Sequence, residues 1–138
     1  MIHLAYTSTA VDQMDDDELD QILSEAHERN ERRGVTGMLL YRDGTFLQVL
    51  EGDADDVLYV YDLIKGDDRH HGLINVLQEP IDERSFEDWK MSFRRVEDAD
   101  LKAAPEGYSR FMENGFAGDA FEEEPGRALE MLSYFREE

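Results

Sequence analysis

The sequence predicts an α+β fold: a ferredoxin-like β-α-β-β-α-β sandwich with an extra strand, giving a five-stranded mixed sheet with two helices on one face, followed by short C-terminal helices. Three observations carry this reading. The apolar residues switch between a period of two and a helical period along the first two-thirds of the chain. The two helical segments each end at a glycine, Gly34 and Gly66, and a hairpin signal at Arg42-Asp43-Gly44 joins the second and third strands.

Taken in order, residues 2–8, "IHLAYTS", alternate, with Ile2, Leu4 and Tyr6 on one face and His3, Ala5 and Thr7 on the other, and form the first strand. "DDDELDQILSEAHERNERR" is the first helix. Its acids, Asp15 to Asp17, precede its bases, Arg29, Arg32 and Arg33, in the order that complements the helix dipole, and its apolar stripe is Leu19, Ile22, Leu23 and Ala26. "VTGMLLYRDGTFLQVLEG" is a strand pair. "DADDVLYVYDLIKG" is the second helix, with Val57, Val60, Tyr61 and Ile64 inward and Gly66 as its stop. "LINVLQEP" supplies the fourth strand and "DWKMSFRRV" the fifth.

From about residue 98 the character changes, which divides the chain into a domain over 1–97 and a helical extension over 98–138. In the last helix Ala128, Met131, Leu132 and Phe135 fall on one face. That face is expected either to cover the side of the sheet left free by the two main helices or to meet a second copy of the chain, and the second option gives an expectation of a homo-oligomer.

Composition excludes several function classes. A length of 138 residues with 41% hydrophobic content suits one domain. No apolar stretch is long enough for a membrane span, and the N-terminus lacks a signal-peptide pattern, so a cytoplasmic protein is expected. The net charge of −20, from 34 acids against 14 bases, opposes nucleic acid and anionic membranes as partners. Lysine is confined to Lys65, Lys90 and Lys102, and this acid excess reads as adaptation to high salt rather than as ordinary surface acidity. The absence of cysteine removes disulfides, thiolate metal sites and cysteine adduct chemistry. No P-loop, G-x-G-x-x-G or G-x-S-x-G occurs. His70 and His71 are adjacent and would point apart on a regular element, and the acids at 15–17 lack calcium-loop spacing, so no metal site is expected.

Gln48 sits at the centre of the apolar strand "FLQVL", on the face of Phe46 and Leu50. A buried primary amide has two donors and two acceptor lone pairs to satisfy, either from the protein or from a bound molecule. Asn30 extends the first helix's stripe one turn beyond Ala26, as a helix-end residue or a ligand-facing one. Tyr6 shares the inward face of the first strand, as a core tyrosine or as part of a site. Together they place a phenol, an amide and an asparagine on adjacent elements.

In these residues the chain resembles BLUF domains, blue-light sensors that use flavin, over residues 2 to about 95. "LAYTS" is similar to the family's first strand with its photoactive tyrosine. "RNERRGVTGMLLYRDGTFLQVLEG" resembles its asparagine, V/I-T-G strand and F-x-Q-x-L-E-G strand. "DDRHHG" resembles its D-x-R-H segment, and "RSFEDWKMSF" its R-x-F-x-x-W-x-M ending. The resemblance implies a short stand-alone photosensor, not an enzyme, that binds FAD, with FMN as the alternative, without a covalent bond.

It further implies that Gln48 bridges Tyr6 and the flavin ring, and that Asn30 bonds the ring's polar edge. Asp67, Arg69 and His70 lie near its pyrimidine side, and Trp89 and Met91 form the mobile pair on the last strand. Arg29 stands where histidine or asparagine is common and is a further cofactor contact. Light is expected to drive electron and proton transfer from Tyr6, rearrange the Gln48 amide, and pass the change through the last strand and C-terminal helices to a downstream protein effector. The competing readings are a flavin-free ferredoxin-like interaction module and an acylphosphatase-like hydrolase built on "RRGVTG".

Overall fold

The computed structural model describes residues 1–12, 14–86, 92–103, 121, 124 and 126–137. The strands are β1 (Ile2–Ala10), β2 (Thr36–Arg42), β3 (Thr45–Gly52), β4 (His70–Pro80) and β5 (Ser92–Arg95). The helices are α1 (Asp16–Arg33), α2 (Ala54–Lys65), α3 (Asp98–Ala103) and α4 (Gly126–Glu137). The sheet order is β4-β1-β3-β2-β5. Every neighbouring pair is antiparallel except β2 and β5, which run parallel. This is the predicted ferredoxin-like sheet with its added fifth strand.

Local chemistry fixes the boundaries. Asp15 caps α1 by accepting from the Glu18 amide at 2.9 Å, and the Glu18 side chain accepts from the Asp15 amide at 3.4 Å in return. At the other end Gly34 takes a left-handed conformation, φ 66°, that only glycine adopts cheaply, and closes the helix. The hairpin turns on Asp43 and Gly44, both at positive φ, the geometry that matches strand twist. Gly66 also follows the last residue of its helix, but in a right-handed conformation, with its amide bonded to the Asp62 and Ile64 carbonyls.

Two strands are longer than predicted. β1 continues to Ala10 because β4 begins at His70 rather than Leu73, pairing Ala10 with His70 and Thr9 with His71. The polar run that conceals this extension also carries register shifts between Thr7 and Thr9. The fifth strand was predicted over 88–96. The described part is Ser92–Arg95, and Trp89 and Met91 lie outside the described residues.

β3 is the central strand, and residues 46–52 of it are all buried. Its alternation divides the interior into two clusters. Phe46 and Leu50, with Leu4, Tyr6, Leu39 and Tyr41, pack against Leu19 and Ala26 of α1 and Val57, Val60, Tyr61 and Ile64 of α2. Leu47 and Val49, with Ala5, Met38 and Leu40, pack against Ala128, Met131, Leu132 and Phe135 of α4. The apolar face of α4 is therefore spent on the sheet, each of its four residues being at most 2% exposed. A contact between copies of the chain has to use some other surface.

One buried charge pins the far end of β3. The Glu51 carboxylate, wholly buried, accepts bonds from the Thr36 hydroxyl at 3.2 Å, the Ser85 amide at 3.0 Å and the Phe86 amide. Arg84 adds a bond to the Thr36 hydroxyl at 2.9 Å. The segment that leads into the last strand is thus tied to the strand that carries Gln48.

Candidate functional site

The antiparallel register of β1 and β3 sets Tyr6 opposite Gln48, and that of β3 and β2 sets Gln48 opposite Leu39. All three lie on the face beneath α1 and α2, where the helices leave a slot of about 510 Å³, part of it open to solvent. Tyr6, Leu39, Phe46 and Gln48 form its floor. Ile22, Ala26 and Arg29 of α1 form one wall, and Ile64 with Asp67, Arg69 and His70 forms the other.

The Tyr6 hydroxyl donates to Oε1 of Gln48. Both residues are 3% exposed. The Tyr6 ring also rests against the Tyr61 ring at 5.6 Å between centroids. Burial pushes the Tyr6 phenol far above its ordinary range, although the nearby Arg29 guanidinium pulls the other way. Burial therefore holds the phenol in its neutral form. Burial in turn lowers the Arg29 pKa, and the nearby Asp67 carboxylate opposes that shift.

Arg29 Nε donates to Oδ1 of Asn30 at 3.3 Å. Asn30 has no exposed surface and lies behind Arg29, beside the lining residues rather than among them. Its backbone carbonyl closes the helix by accepting from the Gly34 and Val35 amides.

The opposite wall is braced by charge. Arg69 donates from Nε to Asp67 at 2.9 Å and from Nη2 to Glu25 of α1 at 2.8 Å, spanning the slot's mouth. The hydrogen bond from Arg69 holds the Asp67 carboxyl below the usual carboxylate range, and the same bond raises Arg69. His70 Nε2 lies 2.6 Å from the Ile64 carbonyl, so that nitrogen is the donor. Nδ1 is then the nitrogen facing the Ser8 hydroxyl at 2.8 Å, and in the neutral ring it accepts. This fixes the tautomer and joins α2 to β1.

The structure thus brings Tyr6, Arg29, Gln48, Asp67, Arg69 and His70 to one slot, with Asn30 directly behind it. Trp89 and Met91 lie outside the described residues. Sequence reasoning did not select Glu25, Ser8 or Tyr61. Glu25 carried a usable signal, standing one turn before Arg29 on the same helix face, whereas Ser8 is brought in only by the His70 bond. Among the described residues no cluster of side chains could hold a metal ion, and no helix is long and apolar enough to cross a membrane.

A slot with flat aromatic and aliphatic walls, a hydrogen-bonding floor and a polar rim suits a planar heteroaromatic ligand with one polar edge. The residues fit a flavin: amide and phenol at the floor, arginine on one side with asparagine bonded behind it, and the Asp67–Arg69 pair on the other. The turn that could have served a hydrolase is used otherwise, because the Gly34 and Val35 amides are bonded to carbonyls of α1 and do not form an anion cradle.

Comparison with known proteins agrees with this geometry. The profile of a family described as BLUF, sensors of blue-light using FAD, matches residues 1–92. The chain is 41% identical over 86 residues to photoactivated adenylate cyclase subunit alpha of Euglena gracilis, covering 62% of this chain and 8% of that protein. It is 32% identical over 83 residues to the blue light- and temperature-regulated antirepressor BluF of Escherichia coli K12, covering 60% of this chain and 21% of that protein. The chain therefore spans only a small part of these curated relatives.

Two solved structures match nearly end to end. The dark-state structure of BlrB, a BLUF protein, has a TM-score of 0.74 at 29% identity and covers 93% of both chains. The photo-activated state of BlsA has a TM-score of 0.76 at 26% identity and covers 96% of this chain and 94% of that one.

Proposed function

The chain belongs to the BLUF family of flavin-using blue-light sensors, and from that premise we propose that it is a photoreceptor that holds flavin non-covalently between α1 and α2 and switches through Tyr6 and Gln48. The observation that carries the proposal is the bond from the Tyr6 hydroxyl to Oε1 of Gln48 at the floor of the slot. Flavin, when bound there, supplies the blue-light absorption and an oxidising excited state.

The residues do the rest. Because its phenol is held neutral, Tyr6 gives up an electron from the protonated form, and the loss of that electron makes the hydroxyl strongly acidic. The proton then has a ready path across the existing bond to Gln48. When electron and proton return to Tyr6, the amide is left rotated or tautomerised, since it is both donor and acceptor. Arg29, positioned by the Asn30 side chain behind it, holds one side of the ligand, and the Asp67–Arg69–Glu25 brace holds the other and limits water entry.

Output runs from β3 toward the last strand. β5 pairs with β2, with Phe93 in register with Leu39, which is itself in register with Gln48. From β5, Arg94 reaches the Phe135 ring of α4 at 5.2 Å and Asp100 of α3. A change in β5 would therefore alter contacts of both helices, and a downstream protein effector would read that altered surface.

Blue light should give a small, reversible red shift of the flavin absorption with its band shape kept. Bleaching to a short-wavelength adduct, or a flavin-loaded sample that does not respond, would overturn the proposal. A purified protein that carries no flavin and takes none up would instead favour the interaction-module reading.

A further inference from the structure

We infer that Tyr61 is a second redox-active tyrosine, standing behind Tyr6 and held in reserve by the Lys65 ammonium. The inference rests on the flavin reading above and goes beyond it, because that reading uses Tyr6 alone. Tyr61 lies on the inward face of α2 and is 8% exposed. Its ring meets the Tyr6 ring at 5.6 Å between centroids, tilted by 51°. Tyr6 lines the slot and Tyr61 does not, so the two phenols stand in series, with Tyr6 nearer the ligand's place.

A core tyrosine whose only duty is packing would show the same burial and ring contact. Two features set Tyr61 apart. The first is its hydroxyl. Among the described residues it has no hydrogen-bond partner, and no buried side-chain oxygen lacks one, so this oxygen is in contact with water. Burial raises the Tyr61 pKa, and the resting phenol keeps its proton. An electron can therefore leave Tyr61 toward Tyr6 while the proton leaves to solvent.

The second feature is Lys65, one turn further along α2, whose Nζ lies 5.0 Å from the Tyr61 ring centroid. The same ammonium pairs with Asp62 at 3.1 Å, which keeps it beside the ring. Of these two charges the Lys65 cation acts on the phenol more strongly than the Asp62 anion. A cation over a ring is attracted to its electron-rich face, and that attraction is lost when the ring gives up an electron. Lys65 therefore makes Tyr61 harder to oxidise. Arg29 places positive charge near Tyr6 too, but there the proton leaves with the electron, across the bond to Oε1 of Gln48. With Tyr6 present, oxidation stays at Tyr6, where the returning electron resets the amide. Without it, Tyr61 is the next ring in line.

In the reserve step Tyr61 gives one electron, across the ring of residue 6, to photo-excited flavin, and its phenolic proton to water. One proton taken up at the flavin matches the electron gained there, and no bond between heavy atoms forms or breaks. In the dark an electron and a proton return to Tyr61.

The test uses flavin-loaded Tyr6→Phe, which keeps the ring contact and removes the first donor. Under steady blue light without oxygen it should slowly lose oxidised-flavin absorption, and samples frozen in the light should show a tyrosyl radical by electron paramagnetic resonance. Adding Tyr61→Phe should remove the tyrosyl signal and most of the photoreduction. Adding Lys65→Met to Tyr6→Phe should speed photoreduction, because the cation is gone while the aliphatic stem stays. Photoreduction in Tyr6→Phe/Tyr61→Phe as fast as in Tyr6→Phe, or no tyrosyl radical in Tyr6→Phe, would overturn the inference, while a red shift in the parent keeps the flavin reading standing. An unchanged rate with Lys65→Met would overturn the part assigned to Lys65. A parent that takes up no flavin defeats the flavin reading and this inference with it.

Discussion

Tyr6 and Gln48 form a pair whose value comes from being dry, opposite in register and already bonded. Tyr6→Phe removes the electron and proton donor, and Gln48→Leu keeps roughly the volume while removing the bridge. Each variant should abolish the light-induced red shift while flavin stays bound, and a normal photocycle in either would show that the switch lies elsewhere. A pH titration probes the same pair. The folded-state pKa of Tyr6 lies above its unfolded value of about 10, so both states bind the proton below that pH. Above it only the folded state keeps the proton. The contribution of Tyr6 to stability is therefore present below about pH 10 and is lost as pH rises further. The red shift should persist to the pH at which the protein unfolds, and its disappearance in a still-folded protein, with tyrosinate absorption, would contradict the neutral phenol. These residues were legible because each broke a pattern: a polar amide in a buried strand, an asparagine ending an apolar stripe. Ser8 broke none, and only its tertiary contact with His70 brings it to the site, whereas Glu25 was signalled by its place one turn before Arg29 on the same helix face.

At the scale of elements, the sandwich was readable because its helices are strongly periodic and carry clear stops, and because the Asp43-Gly44 turn admits one hairpin. The extended ends of β1 and β4 were not readable. Their pairing depends on backbone partners across the sheet, while the sequence there, Thr9-Ala10 and His70-His71-Gly72, has no apolar alternation. The destination of the α4 stripe was also open in the sequence, since amphipathicity states that a face is buried and not by what. The structure places it on Leu47, Val49, Met38 and Leu40, directly behind the strand that carries Gln48. Leu132 is wholly buried there. Leu132→Ala should therefore cost about 2–5 kcal/mol of stability, measured by urea unfolding. If α4 is also on the output path, amide exchange over 126–137 should differ between dark and illuminated samples. Identical exchange, with Leu132→Ala only destabilising, would leave α4 as a cover for the core and move the output to another surface.

For the whole molecule, the governing quantity is charge. The acids exceed the bases by 34 − 14 = 20, and part of the excess is carried on exposed helix starts such as Asp15 to Asp17 and Asp55. Salt acts on this surface in two opposed ways. It weakens exposed attractive pairs such as Arg32 with Glu28, Lys65 with Asp62 and Arg127 with Glu130. Each of these is worth at most about 1 kcal/mol, and often nothing measurable. It also screens repulsion among the unpaired carboxylates, which sums over many pairs within one or two Debye lengths. Because the bases can neutralise fewer than half of the acids, the repulsive sum is the larger, and screening stabilises the folded state. Raising sodium chloride from 0.1 M to 1 M shortens the Debye length from about 10 Å to about 3 Å. The melting temperature should rise steeply over the first part of that range and level off as screening saturates. Neutralising substitutions at exposed acids, such as Asp55→Asn, should reproduce part of the gain in dilute buffer and add less at high salt. A melting temperature that stays flat with salt, or falls, would mean that the local ion pairs dominate and that the acid excess is an ordinary surface feature, not an adaptation to salt.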